Sequence, residues 1–531
     1  MMREEPDQDA EPVPSPAHSP HDKFHEPELL DVAIIGAGLS GVCAAWHLQQ
    51  SHPERSYAIL EARDAIGGTW DLFRYPGIRS DSDMPTLGYS FRPWTGQRAI
   101  ADGPSILRYV RETAREGGIE KRVRFHHEVV AADWSTDDAR WHLRVRTPDG
   151  ERLIAARFVM SCAGYYDYGG GHEPDWQDRE RFAGRLVHPQ HWPADLDWTG
   201  KRVVVIGSGA TAVTLVPEMA KTAAHVTMLQ RSPTHIAALP GVDRLADRLR
   251  RMFGPRAGHW LTRWKNVLYG IGVYKFSRWA PDALARRLRA DAARLLPEGF
   301  DVATHLTPSY DPWDQRLCLV PDGDLFSAIR DGSASIVTDH IERFEEDGIV
   351  LRSGEQLAAD IVVAATGLRV KILGGIAVTV DGAQQPFGEV YSYKGAMYSG
   401  LPNMSVALGY INASWTLKCE LIARYAMRLM AHMDRHGHDY AVPRWPSAEM
   451  GTRTTFELSS GYLERARHMI PKQTERGPWK QNQNYVSDLR LLRRGPVTDE
   501  MVFGRRGEPW HDRVRPNDVD REVERTLEAA E

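Results

Sequence analysis

Residues 31–41 read DVAIIGAGLSG, an apolar run that meets a glycine-rich turn and continues as a helical pattern. A second apolar stretch, residues 57–60, follows that helix, so the order predicts a strand, a turn, a helix and a second strand. Three glycines fit the G-x-G-x-x-G spacing, in which missing side chains let the backbone approach a pyrophosphate at the helix N-terminus. These glycines are Gly36, Gly38 and Gly41.

Glu61 makes this common pattern specific. It ends the second predicted strand, 25 positions after Gly36, where a carboxylate can accept hydrogen bonds from an adenosine ribose. A glycine-rich turn of purely structural use does not require that acid. The combination therefore predicts a dinucleotide site.

The same pattern returns at residues 202–212, which read RVVVIGSGATA, with a predicted strand at 225–230. Ala212 stands in the third glycine position and still permits close packing of helix on strand. The second strand runs into Arg231 and Ser232, and a guanidinium beside a hydroxyl suits a 2′-phosphate. The sequence favours NADPH over NADH here; the alternative is that Arg231 is a solvated arginine at a strand end.

Two dinucleotide sites on one chain suggest that hydride passes from NADPH to a flavin. Disulfide reductases of this design need a redox cysteine pair just after the first glycine turn. Residues 67–77 read GGTWDLFRYPG, and no cysteine lies between Cys43 and Cys162. This class of enzyme is therefore excluded.

The pattern predicts an α/β fold with two Rossmann-like dinucleotide-binding domains, one for FAD and one for NADP, and a helical insertion in the NADP domain. Within the NADP domain we expect a linker at 176–200 and the helical insertion at about 240–305. The expected boundaries are a disordered leader at 1–28, a first FAD-binding part at 29–170, the NADP-binding domain at 171–360, a second FAD-binding part at 361–500 and a C-terminal tail at 501–531.

The charge and the cysteine content limit the kinds of binding partner and the cellular compartment that we expect. A formal net charge of −5 on 531 residues does not suggest nucleic acid as a partner. The four cysteines are far apart in sequence and form no CxxC pair, so neither a metal site nor a disulfide framework is expected, and a cytoplasmic location fits. No run approaches the ~18 apolar residues that span a bilayer, and residues 1–28 lack the apolar core of a signal peptide.

Residues 241–300 form a basic helical segment with thirteen Lys or Arg against five Asp or Glu. Trp260, Trp264 and Trp279 are interleaved with the basic residues. Two interpretations stay open: peripheral contact with a membrane, and a plain helical cover on the NADP domain whose basic side chains shield packed helices.

Residues 182–193 read FAGRLVHPQHWP, which resembles the F-x-G-x-x-x-H-x-x-x-W-P fingerprint of type I (class B) flavin-dependent Baeyer-Villiger monooxygenases. The resemblance extends from residue 30 to about 495 and is greatest to the mycobacterial branch that includes the ethionamide-activating enzyme. The fingerprint is matched at Phe182, Gly184, His188, Trp192 and Pro193. A second family motif is matched at Gly67, Gly68, Trp70, Tyr75, Pro76, Gly77 and Asp81.

The resemblance implies that Arg316 and Asp81 are the catalytic residues. Arginine stays protonated at any working pH and can stabilise a peroxide anion, while the carboxylate orients it. An ordinary loop ion pair is the alternative role for Arg316. His188 and Trp192 are assigned to a linker that couples domain movement to NADP binding.

The glycine turns and the resemblance together imply the cofactor-binding residues. For FAD these are Gly36, Gly38, Ser40, Gly41, Glu61, Thr69, Trp70, Asp71, Leu72, Asp81 and Val129. For NADP they are Arg79, Ser80, Gly207, Ser208, Gly209, Ala210, Thr211, Ala212, Val213, Arg231 and Ser232. Thr366 and Gly367 resemble the strand end where the chain returns to the first domain, and Trp415 and Asn412 are either pocket or core residues.

The implied activity is FAD- and NADPH-dependent insertion of one atom of O2 into a small ketone by a C4a-peroxyflavin, giving an ester or lactone. Oxidation of sulfides or thioamides is implied as well. Two alternatives stay open: a flavin monooxygenase that works mainly by S- or N-oxygenation, and a non-catalytic flavoprotein that acts as a redox sensor.

Overall fold

The computed structural model describes residues 27–315, 317–455 and 459–514. Residues 1–26 of the predicted leader, the predicted catalytic Arg316 and the end of the predicted tail lie outside these ranges. The predicted leader is one residue too long, because Glu28 already belongs to the first strand.

The elements alternate in the order that the sequence predicts for the two nucleotide-binding units. The strands are β1 Glu28–Ile35, β2 Tyr57–Leu60, β3 Val123–Arg124, β4 Glu128–Ser135, β5 Arg140–Thr147, β6 Gly150–Ser161, β7 Tyr166–Gly171, β8 Arg185–Val187, β9 Arg202–Ile206, β10 His225–Gln230, β11 Ile236–Leu239, β12 Cys318–Pro321, β13 Ala334–Thr338, β14 Ile341–Glu345, β15 Gly348–Leu351, β16 Gln356–Ala358, β17 Ile361–Ala364, β18 Leu368–Val370, β19 Ala377–Val380, β20 Ala383–Gln384, β21 Ser392–Tyr393, β22 Met397–Tyr398, β23 Met404–Val406, β24 Tyr440–Pro443, β25 Arg453–Thr454, β26 Lys472–Gln473 and β27 Met501–Gly504.

The α-helices are α1 Leu39–Ser51, α2 Thr69–Leu72, α3 Met84–Leu87, α4 Gly103–Glu116, α5 Ala210–Met219, α6 Arg244–Trp279, α7 Pro281–Ala293, α8 Val302–His305, α9 Asp324–Arg330, α10 Trp415–His436, α11 Gly461–Arg465, α12 Tyr485–Arg494 and α13 His511–Val514.

The first sheet has the strand order β20-β19-β4-β5-β6-β1-β2-β3, and β23 also pairs with β6. Its centre is parallel, because β1 pairs in parallel with both β2 and β6. One apolar core on this sheet includes residues of α1, α4 and α10, and a second includes residues of β4, β5 and the C-terminal segments. Residues from both ends of the chain therefore build this unit.

The second sheet is parallel throughout, with the order β13-β10-β9-β17-β8. Its strand β17 pairs with β9 and β8, so residues 361–364 belong to the second unit and not to the first. The predicted boundary at 360 is therefore too early, because the sequence could not tell which sheet this apolar strand joins. The chain crosses between the units at β7 and β18, which pair with each other.

The C-terminal region is folded beyond the predicted boundary at 500. Strand β27 pairs antiparallel with β24, and Trp510 is buried in the core of the first unit. The predicted tail at 501–531 is thus wrong for residues 501–514, which complete the first unit.

The helical insertion lies where the sequence places it and consists of α6, α7 and α8. Helix α6 has a kink at Gly254, where φ is 75°. Its buried Arg263 donates hydrogen bonds to the carbonyls of Pro85 (2.9 Å) and Gly88 (2.7 Å) and lies 3.5 Å from the Glu420 carboxylate of α10. The insertion is therefore anchored on the first unit and is not only a cover on the second.

Candidate cofactor and active site

A large cavity of about 1060 Å³ lies between the two sheets. Both glycine-rich turns contribute to its wall, together with the crossing segments of β7 and β18. The predicted cofactor residues that line it are Gly36, Gly38, Ser40, Glu61, Thr69, Trp70, Ser80, Asp81, Val129, Gly207, Ser208, Gly209, Ala210, Thr211, Arg231 and Ser232. The fold thus brings the two predicted nucleotide sites together in one space.

The first turn has the geometry that the glycine pattern requires. Gly36 has φ of +97°, and a Cβ there would lie 2.7 Å from the carbonyl oxygen of Cys162. A Cβ at Gly41 would lie only 1.9 Å from the carbonyl oxygen of Gly36, so Gly41 serves close packing of helix on strand and does not line the cavity. Helix α1 begins without a side-chain cap at Gly38, which leaves its first N–H groups for an anionic group.

Glu61 is buried at the end of β2 and lines the cavity. Its two carboxylate oxygens accept backbone N–H hydrogen bonds from Ala37 at 2.7 Å and from Arg63 at 2.9 Å. These bonds hold the carboxylate beside the first turn. Each oxygen keeps a lone pair that can accept a further hydrogen bond, for example from a ribose hydroxyl.

The motif at 67–81 connects the two units. Burial raises the pKa of Tyr75 to about 12, and its hydroxyl is hydrogen-bonded with Thr211 of the second turn. Arg79 forms an ion pair with Asp324 of α9 and donates to the carbonyl of Val213 at 3.4 Å. Arg79 therefore lies outside the cavity lining in this structure, although the resemblance placed it near NADP.

Asp71 is a second predicted FAD residue that does not line the cavity. Its side chain is almost fully buried and pairs with Arg63 and Arg111, each at 2.7 Å. Its short helix α2 also ends in Leu72, which lies outside the lining as well. The Asp71 carboxylate fixes Arg63, which does line the cavity, so its role in this structure is to position a basic wall residue.

The second turn leaves more open space than the first. Gly207 has φ of +138°, and a Cβ there would lie 2.4 Å from the carbonyl oxygen of Ala365. A Cβ at Gly209 would meet nothing within 4 Å, and α5 begins there without a side-chain cap. Ala212 and Val213 face the core of the second unit and not the cavity. An uncapped helix start beside open space fits an anionic ligand.

A second arginine that sequence reasoning missed lines the cavity that contains the predicted 2′-phosphate position. Arg231 and Ser232 are exposed at the cavity wall, as expected for ligand-binding groups. Arg465 of α11 lines the same cavity, and its pKa is lowered by burial and then by the positive charge of Arg231. No motif marks Arg465, because its proximity to Arg231 arises only from the fold.

Trp415 forms an aromatic wall of the cavity. Its indole stacks on Tyr165 with ring centroids 5.2 Å apart, and its Nε1 donates to Ser40 Oγ at 3.1 Å. Asn412 lies outside the lining and donates to the carbonyl of Gln483 at 2.9 Å. The prediction of a pocket residue therefore fits Trp415, whereas Asn412 holds the backbone of a neighbouring loop.

The fingerprint residues pack in and around the second sheet, and none of them lines the cavity. Phe182 contacts Phe344 with ring centroids 5.9 Å apart, and Trp192 contacts Trp198 at 6.0 Å. A Cβ at Gly171 of β7 would overlap the His188 ring, at 1.9 Å, so His188 lies against the segment that crosses between the units. Burial lowers the pKa of His188.

Of the two catalytic residues that the resemblance implies, the structure describes Asp81. Asp81 is exposed and lines the cavity. Arg316 lies outside the described residues, but its neighbours Gln315 and Cys318 both line the cavity. Thr366 and Gly367, at the return to the first unit, line the cavity too.

Cysteine chemistry does not fit this site. All four cysteines are buried, and none of them forms a disulfide bond among the residues that the structure describes. Burial raises the pKa of Cys419 to about 12 and raises that of Cys162, which lines the cavity. Both thiols are therefore protonated at neutral pH and poor nucleophiles, which agrees with the exclusion of disulfide reductases.

Two nucleotide-binding units around one cavity define a flavoprotein oxidoreductase of the two-dinucleotide class. Residues 34–94 match the model of the NAD(P)-binding Rossmann-like domain, and residues 99–248 match that of flavin-binding monooxygenase-like proteins.

Curated relatives cover almost the whole chain. The FAD-containing monooxygenase EthA of Mycobacterium tuberculosis is 51% identical over 484 residues, which are 91% of this chain and 99% of that protein. The probable FAD-binding monooxygenase AlmA of Acinetobacter baylyi is 45% identical over 491 residues, 92% of this chain and 98% of that protein. The chain belongs to this family of FAD-containing monooxygenases.

Solved structures share the fold. A structure titled oxidized steroid monooxygenase bound to NADP superposes with a TM-score of 0.72 and 21% identity, covering 90% of this chain and 100% of that one. The polycyclic ketone monooxygenase from Thermothelomyces thermophila superposes with a TM-score of 0.68 and 18% identity, covering 92% and 91%. At this identity the likeness supports the α/β architecture with two Rossmann-like units.

Proposed function

We propose that this monooxygenase uses FAD and NADPH to insert one atom of O2 into small ketones, giving esters or lactones, and that it also oxidises sulfides or thioamides. The single observation that carries the proposal is the cavity into which both glycine turns open. NADPH and FAD bound at these two turns would share one cavity, and a substrate in that cavity would lie within reach of the flavin.

FAD, when bound, is the two-electron carrier that activates O2. The uncapped start of α1 would hold its pyrophosphate, and Glu61 would accept hydrogen bonds from its ribose. Trp415, fixed by Ser40 and Tyr165, gives the cavity a rigid apolar wall. Such a wall keeps water away from the reacting atoms.

NADPH fits the second turn. The start of α5 at Gly209 would hold its pyrophosphate, and Arg231 with Ser232 would hold the 2′-phosphate. We propose that Arg465 is a second ligand of this phosphate, because two guanidinium groups placed close together are stabilised by a dianion between them.

Substitution of Arg231 or Arg465 by Ala is expected to raise the KM for NADPH by ~10-fold to ~100-fold, the range of one lost charge-assisted hydrogen bond. The KM for NADH should change little, because NADH lacks the 2′-phosphate. Steady-state kinetics with both nucleotides and fluorescence titration with NADP+ would measure this. Arg467→Ala, which removes an exposed arginine paired with Glu464, is the control. An equal loss for NADH and NADPH would contradict the assignment.

We propose Arg316 and Asp81 as the catalytic residues. A permanent cation would stabilise the negative charge that forms on a ketone oxygen after attack, and a carboxylate can orient such a cation. Asp81 is exposed and lines the cavity, and so do Gln315 and Cys318, which stand one and two positions from Arg316 in the sequence. His188 and Trp192 would act as the linker between units, since His188 packs against Gly171 of the crossing segment and Trp192 packs in the second unit against Trp198.

We also propose that the two units are the FAD and NADP domains. The first sheet, with residues from both ends of the chain, carries the Glu61 turn, and the second sheet with its helical insertion carries the Arg231 turn. The pairing of β17 with β8 and β9 supports a boundary after residue 364 in place of the one at 360.

A product screen tests the activity. The FAD-loaded protein would be given NADPH, O2 and a panel of linear, cyclic and aryl ketones beside simple sulfides and thioamides, with products identified by mass. We expect ester or lactone from at least one ketone and S-oxide from at least one sulfur compound. Oxidised sulfur or nitrogen compounds without any ester would favour the alternative, a flavin monooxygenase limited to S- or N-oxygenation.

A further inference from the structure

Helix α6 exposes an unusual amount of apolar surface. Ten large apolar side chains are exposed in the described part of the chain, and nine of them lie between Val242 and Trp279. The exposed fraction reaches 82% at Trp279 and 72% at Met252. A large patch of exposed apolar side chains is typical of a surface that binds a protein, a membrane or a ligand.

The exposed residues of the second half of α6 form one stripe. Leu268, Phe276 and Trp279 are spaced at intervals of three and four residues, with exposed Gly272 between them, so they share one side of the helix. The opposite side is already occupied, since Val267 packs against Tyr410 and Leu417 of the first unit. The outer stripe is therefore not needed for the fold.

Exposed basic residues lie along α6 on both sides of the Gly254 kink, and Lys275 lies within the stripe segment. No ion pair is found for any of them within the ranges that the structure describes: Arg244, Arg248, Arg251, Arg256 and Lys275. The nearby acids are already paired, Asp243 with Lys265 and Asp247 with Arg250. This surface is thus locally cationic on a chain whose formal net charge is −5.

We propose that the outer face of α6 docks on an anionic lipid bilayer. Trp, Tyr and Phe side chains prefer the head-group region, and unpaired arginines bind lipid phosphates. Within the described residues no helix has the length and apolarity needed to cross a bilayer, so α6 would lie on the surface. A second copy of the chain fits less well, because a symmetric pair sets these arginines against each other.

Docking has a geometric consequence for the cavity. The inner side of α6 contacts Tyr410, and Tyr410, Ile411 and Ala413 line the cavity. This cavity wall would then lie about one helix diameter, ~10 Å, from the bilayer. The membrane proposal itself does not depend on the reaction that the cavity carries out.

Vesicle co-sedimentation of the FAD-loaded protein tests the proposal. Vesicles of phosphatidylcholine with phosphatidylglycerol (about 3:1) would be compared with pure phosphatidylcholine at ~0.15 M salt. We expect at least ~10-fold tighter binding to the anionic vesicles, and a loss of at least ~10-fold for Phe276→Ala/Trp279→Ala and for Arg251→Glu/Arg256→Glu. The double variant Arg115→Glu/Lys121→Glu, with the same charge change at exposed residues of the first unit, should bind like the unmodified protein.

FAD content, read from flavin absorbance, should be equal in all variants and shows that each is folded. Three outcomes overturn the proposal: no binding of the unmodified protein to anionic vesicles, binding that both α6 variants retain, or equal loss in the Arg115/Lys121 control. A dimer that dissociates in the Phe276/Trp279 variant, seen by sedimentation velocity without lipid binding, would assign the surface to a second copy instead.

Discussion

Replacing Arg316 by Ala is expected to lower the rate of ketone oxygenation by at least ~100-fold while NADPH still reduces the bound FAD. The reason is electrostatic. Attack on a ketone places negative charge on its oxygen, and a guanidinium that never deprotonates stabilises this charge more in the transition state than in the ground state. Hydride transfer from NADPH needs no such cation, so the two half-reactions should separate.

The experiment compares two rates in the same preparation. Anaerobic rapid mixing with NADPH follows the loss of flavin absorbance, and product analysis under air follows ester formation. Arg330→Ala is the matched control, because Arg330 is an exposed arginine of α9 whose ion pair is with the exposed Asp331. Ester formation that survives in Arg316→Ala would remove Arg316 from the catalytic role and leave the rest of the site intact.

Replacing Arg263 by Ala is expected to lower the free energy of unfolding by ~3–5 kcal/mol, the usual cost of leaving the partner of a buried ion pair uncompensated. Arg263 connects α6 with Pro85, Gly88 and Glu420, and these three contacts are buried. Burial favours the neutral form of Glu420, but the imidazole of His47, 3.6 Å away, and the charge of Arg263 outweigh this and hold its pKa well below the usual range.

The loss of stability in Arg263→Ala should depend on pH in a direction that the lowered pKa of Glu420 determines. A depressed pKa gives Glu420 a stabilising contribution that is complete above its unfolded value of about 4.3 and declines as the pH falls below it. The stability difference between the unmodified protein and Arg263→Ala should therefore stay constant from pH 7 to about 5 and shrink only as the pH falls below about 4.3.

Urea unfolding followed by tryptophan fluorescence measures the effect, since Trp260, Trp264 and Trp279 lie on α6. Arg287→Ala is the control, because its pair with Asp291 is exposed and should contribute only ~0–1 kcal/mol. An Arg263→Ala protein as stable as the Arg287→Ala protein would show that α6 is held by its apolar contacts alone.

The sequence was most informative where structure is local. The glycine turn at 36–41, the acid at Glu61 and the strand end at Arg231 each lie within one strand-turn-helix-strand unit, so their spacing fixes their geometry. The two Rossmann-like units and the helical insertion followed from the same short-range patterns.

Contacts between side chains that are far apart in sequence could not be predicted in this way. Arg79 and Asp71 belong to a matched motif, yet their partners Asp324 and Arg111 lie in other elements and turn them away from the cavity. Arg465 is far from Arg231 in sequence and reaches it only through the fold. Periodicity also indicated an apolar face on α6 without telling which side of the helix packs inward.

The central claim is that one oxygen atom of O2 enters the substrate at the expense of one NADPH. The most direct measurement uses 18O2 with the best ketone from the product screen and determines NADPH consumed, ester formed and isotope content together. We predict an ester that carries one 18O atom, formed in about equal amount to the NADPH consumed. NADPH consumption that yields hydrogen peroxide, with no 18O in any product, would contradict the account.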